Sequence, residues 1–286
     1  SRWWRPSGYV PSMAVVLITG CSSGFGHAAA LGFAARGDQV IATMRSPDRA
    51  LAPGGTAEDL AGHHNVTVLA LDVVDDASRR AAVDRVLDEF GHIDVLVNNA
   101  GISALGATEE IPDEIFRNQF ETNFFGPWEL TKLVLPGMRE RSSGRIVNIT
   151  SIGSQLSNGF YAAYCATKHA LDGLSAGLDI ELQQWGIRCV TVVPGGFTTS
   201  MVENRVREAL RPDSAYVRAA EAIAEYEERM QGKTDLSPVV DAIIEASFAP
   251  DPEIRYLVGT GTAERLTAVI EERAKVHAMQ RARDAV

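Results

Sequence analysis

Cysteine is scarce in this chain. Its three residues, Cys21, Cys165 and Cys189, are odd in number and show no metal-like spacing. They suit a reduced, cytoplasmic setting. Cationic charge is also in deficit: 27 Lys and Arg stand against 37 Asp and Glu, a net charge of −10. That balance argues against a nucleic-acid partner and against a basic membrane-binding face. No apolar run reaches the roughly 18 residues needed to span a bilayer. His27, His63, His64, His92 and His169 lack ligand spacing, so no metal is expected. No internal repeat or low-complexity linker divides the chain. What remains is 45% hydrophobic over 286 residues, enough for the core of one large domain. Residues Ser1 to Ser12 carry Trp3, Trp4, Arg5, Pro6 and Pro11 without periodicity or a signal-peptide apolar core. They are expected to be disordered or an expression remnant, with residues 13–286 forming the domain.

Short apolar runs alternate with longer helical patterns, the signature of βαβ units and a parallel sheet. The expected strands are Val15 to Thr19, Val40 to Met44, Val66 to Leu71, Val95 to Val97, Arg145 to Ile149 and Cys189 to Val193, with Ile254 to Val258 as a seventh. Between them lie an Ala-rich helix from Ala28 to Ala35 stopped by Gly37, and a charged amphipathic helix from Ala77 to Phe90. Two long helices follow, Glu114 to Met138, bent near Gly126 and Pro127, and Tyr161 to Trp185. The fold expected is a single-domain, Rossmann-type doubly wound α/β sheet of about seven strands with helices on both faces. From Thr198 to Pro238 the alternation breaks down, with helix formers at Glu203 to Leu210 and Ala219 to Met230. An insertion between the last strands sits near their carboxyl ends, where such sheets bind ligands. It reads as a substrate lid, or as a solvated helical pair over the sheet edge.

The first strand runs into Thr19, Gly20, Cys21, Ser22, Ser23, Gly24, Phe25 and Gly26. Glycines spaced G-x-x-x-G-x-G between a strand and a helix supply a tight turn, close backbone approach to a pyrophosphate, and a helix N-terminus aimed at negative charge. This predicts dinucleotide binding. An NAD site usually carries a carboxylate at the end of the second strand, about 20 residues beyond the turn. Here Met44 and Arg45 stand there. A guanidinium suits a 2′-phosphate, and the Ser22 and Ser23 hydroxyls can add hydrogen bonds, so NADP is favoured over NAD. Asp48 lies close enough in sequence to keep NAD open.

Tyr164 and Lys168 are four residues apart in a helical pattern, one above the other on one face. A phenol of pKa about 10 is a poor proton-transfer group at neutral pH, and a neighbouring ammonium favours its ionised form. Bringing it to neutrality requires roughly 4 kcal/mol of differential stabilisation. Tyr161 has Cys165 four residues on and lacks that cation.

These residues resemble the short-chain dehydrogenase/reductase family over nearly all of Val15 to Thr199. The motifs occur in order: Thr19 to Gly26, Asp72 after the third strand, Asn98-Asn99-Ala100-Gly101, Asn123, Ser151, Tyr164 with Lys168, and Pro194-Gly195. Within the family, the Gly20-Cys21-Ser22-Ser23 turn, Ala42-Thr43-Met44-Arg45 and Tyr164-Cys165 are similar to the 17β-hydroxysteroid and retinol dehydrogenase-like branch. The resemblance implies that Tyr164 exchanges a proton with a carbonyl or alcohol. Lys168 would bind the nicotinamide ribose and depress the phenol pKa, and Ser151 would orient the reacting oxygen. Asn123 would hold a water linking Lys168 to solvent. It further implies that Asp72 and Val73 meet the adenine and that Asn99, Ala100 and Gly101 floor the cofactor cleft. Pro194, Gly195, Phe197 and Thr199 would approach the carboxamide and pyrophosphate. Asn98 and Asn99 read equally well as residues that tie neighbouring backbone.

An NADP-dependent oxidoreductase follows, moving a hydride between the cofactor and a carbonyl or secondary alcohol. Leu156, Phe160, Tyr161, Phe197, Met201 and Tyr216 would form an apolar wall for a lipophilic small molecule. An epimerase or dehydratase of the same superfamily, or a non-catalytic nucleotide sensor, are the alternatives. Pairing through the two long helices would give a homodimer or homotetramer.

Overall fold

Val15–Thr19 forms β1, five apolar or hydroxyl residues that are all buried. Alternate side chains leave a strand on opposite faces. Val16 and Ile18 accordingly enter one core cluster, and Val15 and Leu17 another. A strand buried on both faces reads as a continuous apolar run, the pattern of a parallel sheet covered by helices. The computed structural model describes residues 13–157, 159–197, 206–207, 214–218, 235–259, 261–264 and 266–268. The expectations for Ser1 to Ser12, for the helix Ala219 to Met230 and for most of the 198–238 lid lie outside them.

Helix α1 (Gly24–Arg36) ends at Gly37, whose φ of 91° gives the left-handed cap that glycine adopts without strain. Strand β2 (Gln39–Met44), strand β3 (Val66–Ala70), helix α3 (Asp76–Phe90) and strand β4 (Val95–Asn98) follow, with short helix α2 (Pro47–Leu51) between β2 and β3. Helix α3 is capped by Asp75, which accepts from the Ser78 N–H. Strand β6 (Gly144–Ile149), helix α6 (Ala162–Leu182), strand β7 (Ile187–Pro194), helix α7 (Ser237–Phe248) and strand β9 (Arg255–Val258) complete the frame. The sheet order is β3-β2-β1-β4-β6-β7-β9, all parallel. One face is packed by α1 and α7 through Phe33, Val239 and Ile243. The other carries α3 and α5 (Gly126–Arg141) through Val83, Val86, Leu130 and Val134. Strand order reverses between β1 and β4, which opens a crevice at their carboxyl ends.

Two expectations are corrected. The helix expected from Glu114 to Met138 is α4 (Asp113–Phe120), a π-turn (Glu121–Phe125) and α5. Proline has no N–H, so Pro127 cannot supply the α-helical donor to the Asn123 carbonyl. The chain passes this point with the Gly126 N–H reaching five residues back to Glu121. Within the expected helix Glu203 to Leu210, Val206–Arg207 is instead a two-residue strand, β8, paired with β5 (Ala104–Leu105). An available strand partner there overrides local helix preference. Helix α7 was not among the expected elements, although Pro238 in its first turn is a helix-opening signal.

Candidate active site

The crevice begins at the glycine-rich turn. Gly20 has φ +74° and Gly24 φ +60°, conformations that side chains with a Cβ rarely adopt. A Cβ on Gly20 would lie 2.9 Å from the Ala100 Cα, and one on Gly26 would collide with the Asn99 side-chain nitrogen and the Gly20 carbonyl. Asn99 explains the tightness: its amide donates to the Thr19 and Gly20 carbonyls at 2.8 and 3.1 Å. The Thr19 hydroxyl accepts the backbone N–H groups of Asn99 (3.0 Å) and Ala100 (2.9 Å). Asn99 thus ties backbone, and Thr19, absent from the predicted set, is the buried anchor of the floor. Asn98 turns instead into the sheet, donating to Asn148 at 2.8 Å.

Cys21 points away from the crevice. It is fully buried, its thiol 3.4 Å from the Ile18 carbonyl, and desolvation pushes its pKa up to about 12. Its backbone N–H donates to the Thr43 carbonyl at 2.9 Å, which seats the turn against the end of β2. Arg45, two residues beyond Thr43, is exposed and has no ion pair or hydrogen bond among the described residues. Ser22, Ser23 and Phe25 are half-buried at the start of α1, whose first turn holds no acidic residue. The Phe25 ring meets Phe197 edge-on, centroids 5.7 Å apart. Gly195 donates to the Val258 carbonyl at 2.7 Å, just beyond buried Pro194 at the end of β7. Asp72 follows β3, accepting the Val74 N–H at 3.2 Å, and buried Val73 packs under Gly126. The glycine turn, a helix N-terminus and the exposed Arg45 guanidinium at the end of the second strand fit a phosphorylated dinucleotide.

Deeper in the crevice, the Lys168 ammonium is 2% exposed and donates to the Ile149 carbonyl at 2.8 Å. It lies 5.8 Å from the centroid of the Tyr164 ring. Burial lowers its pKa to about 8. Ser151 begins a short 3₁₀ turn after β6, and its hydroxyl accepts the Gly153 N–H at 3.1 Å. The missing Cβ of Gly153 marks a point 3.4 Å from Tyr164 Cε1 and 3.5 Å from Ser151 Oγ. The Ser151 hydroxyl, the Tyr164 ring and the Lys168 ammonium therefore lie close together beyond the end of β6.

Asn123, fully buried in the π-turn, has its side chain committed to protein. Its amide oxygen accepts the Ile102 N–H, and its nitrogen donates to the Ile102 carbonyl and to the Thr167 hydroxyl, at 2.9 to 3.0 Å. Thr167 passes the link to the Tyr164 carbonyl at 2.7 Å. Gln119, one turn earlier, accepts the Ala104 N–H at 3.0 Å. Neither Thr167 nor Gln119 had a motif to reveal it. Gly101 is half-buried just before Ile102. Leu156 is buried, while Phe160 and Tyr161 are half-buried at the entry to α6. Thr199 and Met201 lie outside the described residues.

Residues 14–210 match the short chain dehydrogenase family, and the chain belongs to it. It is 36% identical over 256 residues to an uncharacterized oxidoreductase, YusZ, of Bacillus subtilis, covering 86% of this chain and 89% of that one. A short-chain dehydrogenase from Streptomyces avermitilis superposes with a TM-score of 0.80 at 35% identity, over 96% of this chain and 99% of the other. A variant of actinorhodin polyketide ketoreductase with NADPH gives 0.73 at 30%, over 87% and 97%. The protein is an NAD(P)-dependent oxidoreductase of this family. Among the described residues, no helix is long and apolar enough to cross a membrane.

Proposed function

We propose that this enzyme interconverts a ketone and a secondary alcohol on a lipophilic small molecule, with NADP(H) as its cofactor. The observation that carries the reading is the buried Lys168 ammonium beside the Tyr164 ring, with Ser151 close to the same ring. Lys168 lies 5.8 Å from the centroid of the Tyr164 ring, and an ammonium about 6 Å from a unit negative charge stabilises it by about 3 kcal/mol at an effective dielectric of about 20. That is most of the roughly 4 kcal/mol a phenol needs to exchange protons near neutrality. With its own pKa at about 8, Lys168 is still about nine-tenths ammonium at pH 7. When bound, NADPH supplies the hydride, chemistry no side chain here provides.

Tyr164 gives its hydroxyl proton to the carbonyl oxygen during reduction and takes it back during oxidation. The Ser151 hydroxyl donates to the same oxygen and fixes its orientation. Lys168 holds the phenolate and the nicotinamide ribose. The Asn123 carbonyl, denied a helical donor by Pro127, would hold the water that returns protons to Lys168, while its side chain sets the geometry of Ile102 and Thr167. Gly20, Ser22, Ser23, Gly24, Phe25 and Gly26 would hold the pyrophosphate side, Arg45 the 2′-phosphate, and Asp72 and Val73 the adenine. Asn99, Ala100, Gly101, Pro194, Gly195, Phe197 and Thr199 would complete the cleft. Leu156, Phe160, Tyr161 and Met201 would contact substrate.

The polyketide ketoreductase relative with NADPH supports both the cofactor and a ketone substrate. Three free, buried cysteines support a cytoplasmic location. Exposed Phe125, Trp128 and Ile180, on the π-turn, α5 and α6, support pairing of two copies through those helices. The test is Tyr164→Phe with a ketone panel and NADPH: turnover should fall at least about a thousandfold while NADPH affinity stays within threefold. Full turnover by that variant would end the proposal, and cofactor binding by wild type without turnover of any ketone or alcohol would favour a sensor.

A further inference from the structure

Three separate chain segments meet at Phe160, just ahead of α6. Phe160 is in the left-handed region at φ +66°, a strained conformation for an aromatic residue that persists only where its surroundings hold it. Two contacts do so here. Its carbonyl accepts the Gly106 N–H at 2.9 Å, and its ring meets Tyr216 edge-on, centroids 6.1 Å apart at 83°. The same conformation turns the chain into α6, with Tyr161 as its N-cap and Tyr164 one turn inside.

Tyr216 is itself held from two sides. Its hydroxyl hydrogen-bonds the Glu109 carboxylate, which raises the phenol pKa above its ordinary value. Its backbone N–H donates to the Ser214 hydroxyl at 3.0 Å. That hydroxyl in turn donates into the Glu110 carboxylate, 2.9 and 2.8 Å from its two oxygens. The neighbouring strand pair Ala104–Leu105 with Val206–Arg207 joins the same two segments, and Gln119 fixes Ala104 from behind. Charge-assisted bonds from hydroxyl to carboxylate are among the stronger neutral-pH tethers, because the acceptor is ionised. A ring clamped through both its backbone and its hydroxyl makes a fixed boundary, unlike a loose flap.

We propose that Tyr216, clasped by Glu109 and by the Ser214–Glu110 pair, sets the size limit of the substrate slot by bracing the Phe160 ring. This rests on the oxidoreductase reading for the identity of the slot. The slot therefore selects by the bulk of the apolar group attached to the reacting carbon, and Glu109 and Glu110 act as positioning residues on its rim.

The experiment measures cyclohexanone, 1-tetralone and a four-ring ketosteroid in two ways: kcat/KM with NADPH, and ketone affinity for the NADP⁺-loaded protein by thermal shift. Tyr216→Ala should raise the ketosteroid-to-cyclohexanone ratio at least tenfold in both readouts. Tyr216→Phe and Glu109→Gln, which keep the ring but loosen it, should agree with each other at a two- to tenfold change, carried by KM more than kcat. Tyr216→Leu gives the same reading as the alanine variant should the latter not fold. A ratio that stays within twofold for Tyr216→Ala or Tyr216→Leu overturns the size limit. No change in both Tyr216→Phe and Glu109→Gln overturns the clasp. Absence of turnover by wild type with every ketone is a failure of the oxidoreductase reading alone, since the affinity ratios still report on the slot.

Discussion

Lys168 makes a sharp test of the site's electrostatics without any substrate. The cofactor-free protein buries its ammonium and holds its pKa at about 8, against an ordinary 10.5, with desolvation as the cause. For a base, a lowered folded-state pKa means that the fold disfavours the charged form. The penalty is therefore complete below pH 8 and fades between pH 8 and 10.5, as the unfolded chain loses its extra proton. The drop corresponds to about 3 kcal/mol at pH 7 and to only about 1 kcal/mol at pH 10. Lys168→Met removes the charge while keeping similar volume, but it strips the Ile149 carbonyl of its 2.8 Å donor, a loss of about 1–3 kcal/mol. The methionine variant should thus match or exceed wild-type stability at pH 7 and fall below it at pH 10, the difference between the two proteins moving by about 2 kcal/mol. Urea unfolding of both proteins at the two pH values gives this number. Making them in a Tyr164→Phe background removes the phenol's own titration. A variant that is less stable by the same amount at pH 7 and pH 10 would refute the reasoning, because it would mean that burial does not burden this ammonium.

Arg45→Asp should weaken NADPH binding by at least about tenfold relative to NADH. Because Arg45 is exposed and has no partner among the described residues, stability should stay within about 0.5 kcal/mol; titration of both cofactors and a melting curve check this, and an unchanged NADPH preference counts against Arg45. Gly26→Ala drives a Cβ into the Asn99 amide and the Gly20 carbonyl. It should lower stability by about 2 kcal/mol or abolish dinucleotide binding, as read by denaturant unfolding and NADPH titration.

Legibility in the sequence followed the range of the forces involved. Strands such as Val15–Thr19 were readable because burial on both faces leaves an apolar run, and α1 was readable because Gly37 stops it. Tyr164 and Lys168 were readable as a pair because one helical turn joins them. By contrast, Asn99 clamps Thr19 and Gly20 from 80 and 79 positions away, and Asn123 grips Ile102 from 21 away. Neither distance leaves a local pattern. The strand at Val206–Arg207 is the extreme case: its two residues sit within an expected helix, and only the backbone of Ala104–Leu105, a hundred positions earlier, makes them extended.

The same division applies to the chemistry. The glycine turn follows β1 and Ser151 follows β6, while Tyr164 and Lys168 lie in the first turns of α6, so a parallel sheet gathers them at its carboxyl edge whatever the intervening loops contain. The wall at Phe160 depends on a positive φ held by Gly106 and Tyr216, and on hydroxyl–carboxylate bonds between segments about a hundred residues apart. The Tyr164–Lys168 pair can therefore be read from sequence spacing, while the proposed size limit rests on contacts between segments far apart in the chain. Exchanging Glu109 or Tyr216 should accordingly alter which ketone is accepted and leave the Ser151, Tyr164 and Lys168 arrangement in place.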